Sequence, residues 1–219
     1  MVNKKDEASD ETPAQRVCTM GRPSKQTKFR RLTEQAIAEY VSGSLRPGRL
    51  PGLIQVNVFN ALARNAAALR VSKDWLLCEA ISPFNLHGPG LGSLAAALTS
   101  SPSCPDSLRP TALQLSIPHH PWIDLLPVAH LRDNILYATE ISAICDEDDL
   151  CYDMVEVSSE SNKASLIVWG EPWDPRGWEV SVAFLRKWGG LLKGCPEMLE
   201  ATNYWRQKRG DTRLAFGER

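Results

Sequence analysis

His119, His120, Asp124, His130 and Asp133 fall within one short stretch and are the densest mixture of imidazoles and carboxylates in the chain. Converging imidazole and carboxylate groups are what a metal site or an acid–base centre needs. The spacing argues against metal. No HExxH pair is present, and the adjacent His119 and His120 point to opposite faces of an extended chain. The prolines that bracket IPHHPWIDLLP predict a buried corner instead, with Trp122 inside and Asp124 capping the next helix. The acids Asp146, Glu147, Asp148 and Asp149 lack the alternation of a calcium loop and read as a solvated helix start. No GxxxxGK[ST] or GxSxG occurs, and the glycines of GPGLG at 88–92 precede no helical pattern. No metal site and no cofactor is expected. The enzymatic reading that survives, a small-molecule biosynthetic enzyme, needs one pocket around His119, His120, Asp124 and Arg176.

Two other groups of residues suit binding rather than catalysis. Behind the acidic Asp6–Glu11 stretch come Arg16, Arg22, Lys25, Lys28, Arg30 and Arg31 with no acid among them. Such a segment neutralises phosphates or serves nuclear import, and Arg22, Lys25, Lys28, Arg30 and Arg31 are the candidate contacts. Gly21-Arg22-Pro23 matches the core of a minor-groove AT-hook, but Met20 stands where an Arg is needed. Five of the seven tryptophans lie between Leu166 and Arg206. There Trp173-Asp174-Pro175-Arg176-Gly177-Trp178 could present Trp173, Asp174, Arg176 and Trp178 to a partner or ligand, with the Asp and Arg paired. The competing reading packs Trp173 and Trp178 under the last helices, which is the more common use of clustered aromatics.

Composition narrows the field. The 219 residues suit one domain plus a tail, and 43% apolar content suffices for a core. Net charge is −1, so any attraction to nucleic acid must come from a local patch. No apolar run reaches transmembrane length, and the polar N-terminus lacks a signal-peptide core, which predicts an intracellular protein with no membrane partner. The six scattered cysteines form no CxxC and are expected to be reduced.

Mainly helical elements must position these groups. Residues 1–31 read as a disordered basic tail and 32–49 as a short helix and Gly/Pro linker. Phe59, Leu62, Ala63, Ala66 and Leu69 give Leu53–Leu69 a helical stripe, and Ser72 is a candidate cap for a second helix ending at Ser82-Pro83. A long loop over 85–109 follows, with at most a short helix at 94–98. Thr111–Ile117 reads as extended, Val128–Ala138 as a helix, and Asp146–Met154 as a helix. Ala164–Trp169 is a strand or buried helix segment. Glu179–Leu192 reads as a helix, with Gly194 near its end and Pro196 opening the last one. The expected fold is a single compact helical domain over 50–210, with long Pro/Gly-rich loops, at most a few short strands, and a tail over 211–219.

LPGLIQVNVFNALARNAAAL with WLLCEAISPFN, IPHHPWIDLLP with LRDNILYA, and LIVWGEPWDPRGWEVSVAFLRKWGGLLKGCPEMLEATNYWRQKRG together resemble one fungal family. It is the domain of unknown function that commonly follows a basic-leucine-zipper-like segment in predicted transcription factors. The resemblance implies a nuclear protein, with a cytoplasmic pool as the alternative, that regulates transcription, often beside secondary-metabolite genes. It also implies a zipper protein or another transcription factor as partner. The chain departs from that pattern in one respect: Leu53–Leu69 holds a single basic residue and no heptad register persists. A stand-alone or truncated member is expected, touching DNA weakly through the basic segment and binding a partner or effector with its globular domain. A degenerate paralogue acting by protein association alone is the third reading.

Overall fold

The computed structural model describes residues 22–44, 50–71, 73–85, 104–155 and 166–215. Among them lie seven α-helices and one two-stranded antiparallel sheet. They are α1 (Pro23–Val41), α2 (Leu50–Ala68), α3 (Ala112–Ser116), α4 (Ala129–Leu136), α5 (Glu147–Val155), α6 (Val182–Trp188) and α7 (Pro196–Lys208). The strands β1 (Leu166–Val168) and β2 (Trp178–Val180) pair Leu166 with Val180 and Val168 with Trp178. The fold is mainly α, as the periodicities predict.

The basic segment is where expectation and structure part first. The expected tail ran to residue 31, yet α1 opens at Pro23, whose fixed φ suits the first helical position. Arg22, Lys25, Lys28, Arg30 and Arg31 therefore sit at or within a helix, while Arg16 lies outside the described residues. Phe29 is 6% exposed and anchors α1. The helix closes in a left-handed turn at Gly43 (φ 66°), where the Ser44 N–H reaches the Glu39 carbonyl at 2.9 Å. Gly52 lets α1 approach α2, since a Cβ there would meet Leu32 Cδ1 at 3.1 Å.

α2 is the spine of the core, with Val58, Leu62 and Ala66 buried and Leu69 buried just after its end. It ends as α1 does: the Val71 N–H returns to the Ala66 carbonyl at 2.9 Å, but Arg70 occupies the left-handed position (φ 54°) that glycine usually fills. The helix expected after Ser72 is only one 3-10 turn, Lys73–Leu76, because Trp75 dives into the core at 3% exposure. Ser72 itself and the possible helix at 94–98 lie outside the described residues.

Thr111–Ile117 is not extended. Thr111 and Gln114 form a reciprocal capping box that starts α3. α4 matches the expected helix and runs on as a π-turn, Tyr137–Ile141. α5 starts where the acids predicted, with Asp146 Oδ1 accepting from the Asp149 N–H at 2.9 Å. The expected Glu179–Leu192 helix is split: its start belongs to β2, Ser181 then caps α6, and a 3-10 turn spans Gly189–Leu192. Pro196 opens α7 as predicted, and Gly194 holds the connecting turn at φ 76°.

Candidate functional site

The histidine-rich corner becomes the centre of the molecule. Every residue from His119 to Val128 is buried, although the segment holds only the 3-10 turn Ile123–Leu125. Irregular buried backbone needs side-chain partners for its carbonyls. Asn65 on α2 donates to the Leu125 carbonyl at 2.8 Å and to the Pro172 carbonyl at 2.9 Å. Arg132 on α4, wholly buried, donates to the carbonyls of Leu126 (2.5 Å), Arg109 (2.7 Å) and Ser107 (2.8 Å) and to Gln114 Oε1 (2.8 Å). Burial pushes its pKa down to about 10, so it stays charged at neutral pH.

Asp124 does not cap a helix; it gathers three donors. Ser82 Oγ reaches Oδ2 at 2.6 Å, while Gln114 Nε2 (2.5 Å) and His119 Nε2 (2.8 Å) reach Oδ1. The other nitrogen of His119 faces the Ile117 carbonyl at 2.6 Å. Both neighbours of that ring are acceptors, so His119 carries two protons and forms an ion pair with Asp124. Burial works against the charge, but the hydrogen bond and charge of Asp124 outweigh it and hold the His119 pKa above its ordinary value. His120 is the opposite case. Nε2 donates to the Leu77 carbonyl at 2.6 Å and Nδ1 accepts from the Trp122 N–H at 3.3 Å, which describes a neutral ring whose pKa burial lowers.

The rest of the five-residue cluster disperses. His130 is exposed, and Asp133 accepts from the Thr111 hydroxyl. Among the described residues no group of three or more His, Cys, Asp and Glu side chains could hold a metal ion. The enzymatic pocket does not assemble either, because His119, His120 and Asp124 are closed in and Arg176 is 86% exposed on its side chain. Sequence patterning marks Ser82 only as a helix end and singles out none of Asn65, Gln114 and Arg132. The signal for Arg132 was its place four residues after Val128, beside the inward stripe of α4.

The tryptophan loop divides between the two expected roles. Trp178 is 1% exposed and donates to the Pro172 carbonyl at 2.8 Å, so it is a core residue and offers no surface. Trp173 is half-buried, with Arg64 of α2 lying 5.2 Å from its ring. Asp174 and Arg176 pair in a fork, Nε to Oδ1 at 3.0 Å and Nη2 to Oδ2 at 2.8 Å, which holds the Asp174 carboxyl below its usual range. Beside this loop Trp169 and Trp205 stack at 5.3 Å, capped by Arg209 over Trp169 (5.2 Å) and Lys208 near Trp205 (6.0 Å). Arg209 also grips the buried Glu179 through two bonds of 2.8 and 2.6 Å. Trp205 donates to the Arg176 carbonyl at 2.8 Å, which joins the loop to α7.

The basic residues complete the candidates. On α1, Lys28, Arg30 and Arg31 are exposed, and Lys28 and Arg31 share one face by their three-residue spacing. Arg30 sits 4.0 Å from Glu34 in a loose surface pair. No described helix is long and apolar enough to cross a membrane.

No curated protein and no solved structure matches the chain. Residues 95–199, which hold Asp124, His119 and the tryptophan loop, match the model of the Domain of unknown function (DUF3425), so this segment of the chain is similar to that family.

Proposed function

We propose that the protein is a transcription-factor-like or co-regulatory protein of a filamentous fungus, acting in the nucleus. α1 contacts DNA phosphates, and the globular domain binds a partner protein or effector. One observation carries the reading: Phe29 docks α1 on α2 while Lys28, Arg30 and Arg31 stay in solvent. Ordered cations on a helix meet phosphates with less entropy to lose than cations on a free tail. The resemblance to a domain that follows zipper-like segments in predicted fungal transcription factors supports the same reading, including regulation beside secondary-metabolite genes. Half-exposed Trp173 with exposed Arg176 is the proposed partner surface, without Trp178.

The test is fluorescence anisotropy of the intact protein with a labelled duplex across a salt series. The triple variant Lys28→Gln, Arg30→Gln, Arg31→Gln should bind more weakly, and its log–log salt slope should be shallower by about 2–3. Equal slopes for the two proteins, or no binding by either, would remove DNA from the proposal.

A further inference from the structure

α2 carries two apolar faces. Val58 and Leu62 enter the main core, whereas Val56, Phe59, Ala63 and Ala67 line the side toward α1. α1 covers that second face incompletely and leaves a cavity of about 630 Å³ between α1, α2 and the Lys73–Leu76 turn. One wall is a run of rings, with Phe29 5.1 Å from Phe59 and Phe59 5.7 Å from Trp75. The polar groups sit at its edge. Arg30 and Glu34 lie 4.0 Å apart and cancel in charge, and Asn60 is exposed and makes no side-chain hydrogen bond to a described residue.

We propose that this cavity binds an uncharged, flat aromatic small molecule bearing a hydroxyl or carbonyl group at one edge. Its volume lies within the ~300–1,000 Å³ of ordinary ligand pockets, and since about 150 Å³ accepts benzene, there is room for several fused rings. The aromatic wall offers face and edge contacts to such a body. The balanced Arg30–Glu34 rim favours neither an anion nor a cation, while the Asn60 amide both donates and accepts. The site does not depend on DNA contact, although α1 contributes to both.

The test titrates the intact protein with N-phenyl-1-naphthylamine, an uncharged aromatic probe whose fluorescence rises in apolar surroundings. Saturable one-to-one binding is expected. Ala67→Trp places an indole in the cavity from the exposed side of α2 and should weaken binding by about tenfold or more, with circular dichroism and Tm unchanged. 2-Naphthol should displace the probe at lower concentration than naphthalene, and Asn60→Leu should erase that preference. Probe binding that survives Ala67→Trp would overturn the proposal. So would the absence of saturable binding, whether the cavity stays empty or sedimentation shows a second copy filling it.

Discussion

Asp124 and Arg132 show what single side chains do in this molecule: they stand in for a missing backbone ladder. Removing Asp124 would strand the His119 imidazolium and the donors of Ser82 and Gln114 in a buried site. Asp124→Ala should therefore lower unfolding free energy by about 3–5 kcal/mol in urea titrations. A loss well under that range would mean that the network rearranges around the gap. His119 adds a pH dependence of definite sign. Its folded pKa lies above the unfolded value of about 6.5, so the folded state binds the proton more tightly. Its stabilisation is complete below about pH 6.5 and fades as pH rises through the folded value. The stability gap between the wild type and His119→Gln should thus shrink from pH 6 towards alkaline pH; a gap that grows instead would show that His119 is neutral in the fold. Neither role was visible in the sequence, where His119 and Asp124 suggested chemistry and a cap.

Helix ends account for most of the differences at the level of elements. The alternation in Thr111–Ile117 suggested a strand, but a five-residue helix is too short for periodicity to decide. The Thr-x-x-Gln spacing of the capping box was the better signal. Thr111→Val should cost about 1 kcal/mol, and Thr111→Ser should restore most of it. Arg70 is the converse, a side chain held at φ 54° where α2 stops. Relief of left-handed strain is worth roughly 1–2 kcal/mol, partly offset by the greater unfolded freedom of glycine. Arg70→Gly should then raise stability by about 0.5–1 kcal/mol, read as a Tm increase. A lower Tm would mean that the Arg70 side chain makes a contribution larger than its strain. The Glu179–Leu192 segment was misread for a different reason: β2 exists only because β1, ten or more residues upstream, supplies its hydrogen bonds.

At the scale of the whole molecule, the family match and the folding unit do not coincide. The match begins at residue 95 and stops at 199. Yet Val58 and Leu62 of α2 and Leu69 just beyond it belong to the same apolar cluster as Trp122, and Asn65 holds the central segment from outside the matched region. At the other end, Thr202 of α7 accepts from the Val180 N–H at 3.1 Å, beyond the match. A fragment of residues 95–199 should therefore lack cooperative unfolding, whereas residues 22–215 should melt in one transition by circular dichroism. Cooperative melting of the short fragment would show that α2 is dispensable to the core.

The sequence by itself determined the mainly helical class, the family resemblance of residues 95–199, the stripe of α2, the acidic start of α5 and the proline start of α7. Each of these is written locally, in periodicity, in end signals or in a run of unusual residues. Tertiary structure alone decided that His119 forms a structural ion pair with Asp124, that Trp178 is core while Trp173 is half-buried, and that the basic segment from Pro23 onward lies in a docked helix. These outcomes depend on which groups meet across long stretches of chain, as Asn65 meets Leu125 and Pro172. Local patterning marks a face as apolar or a group as polar, but only closure of the core determines what each must satisfy.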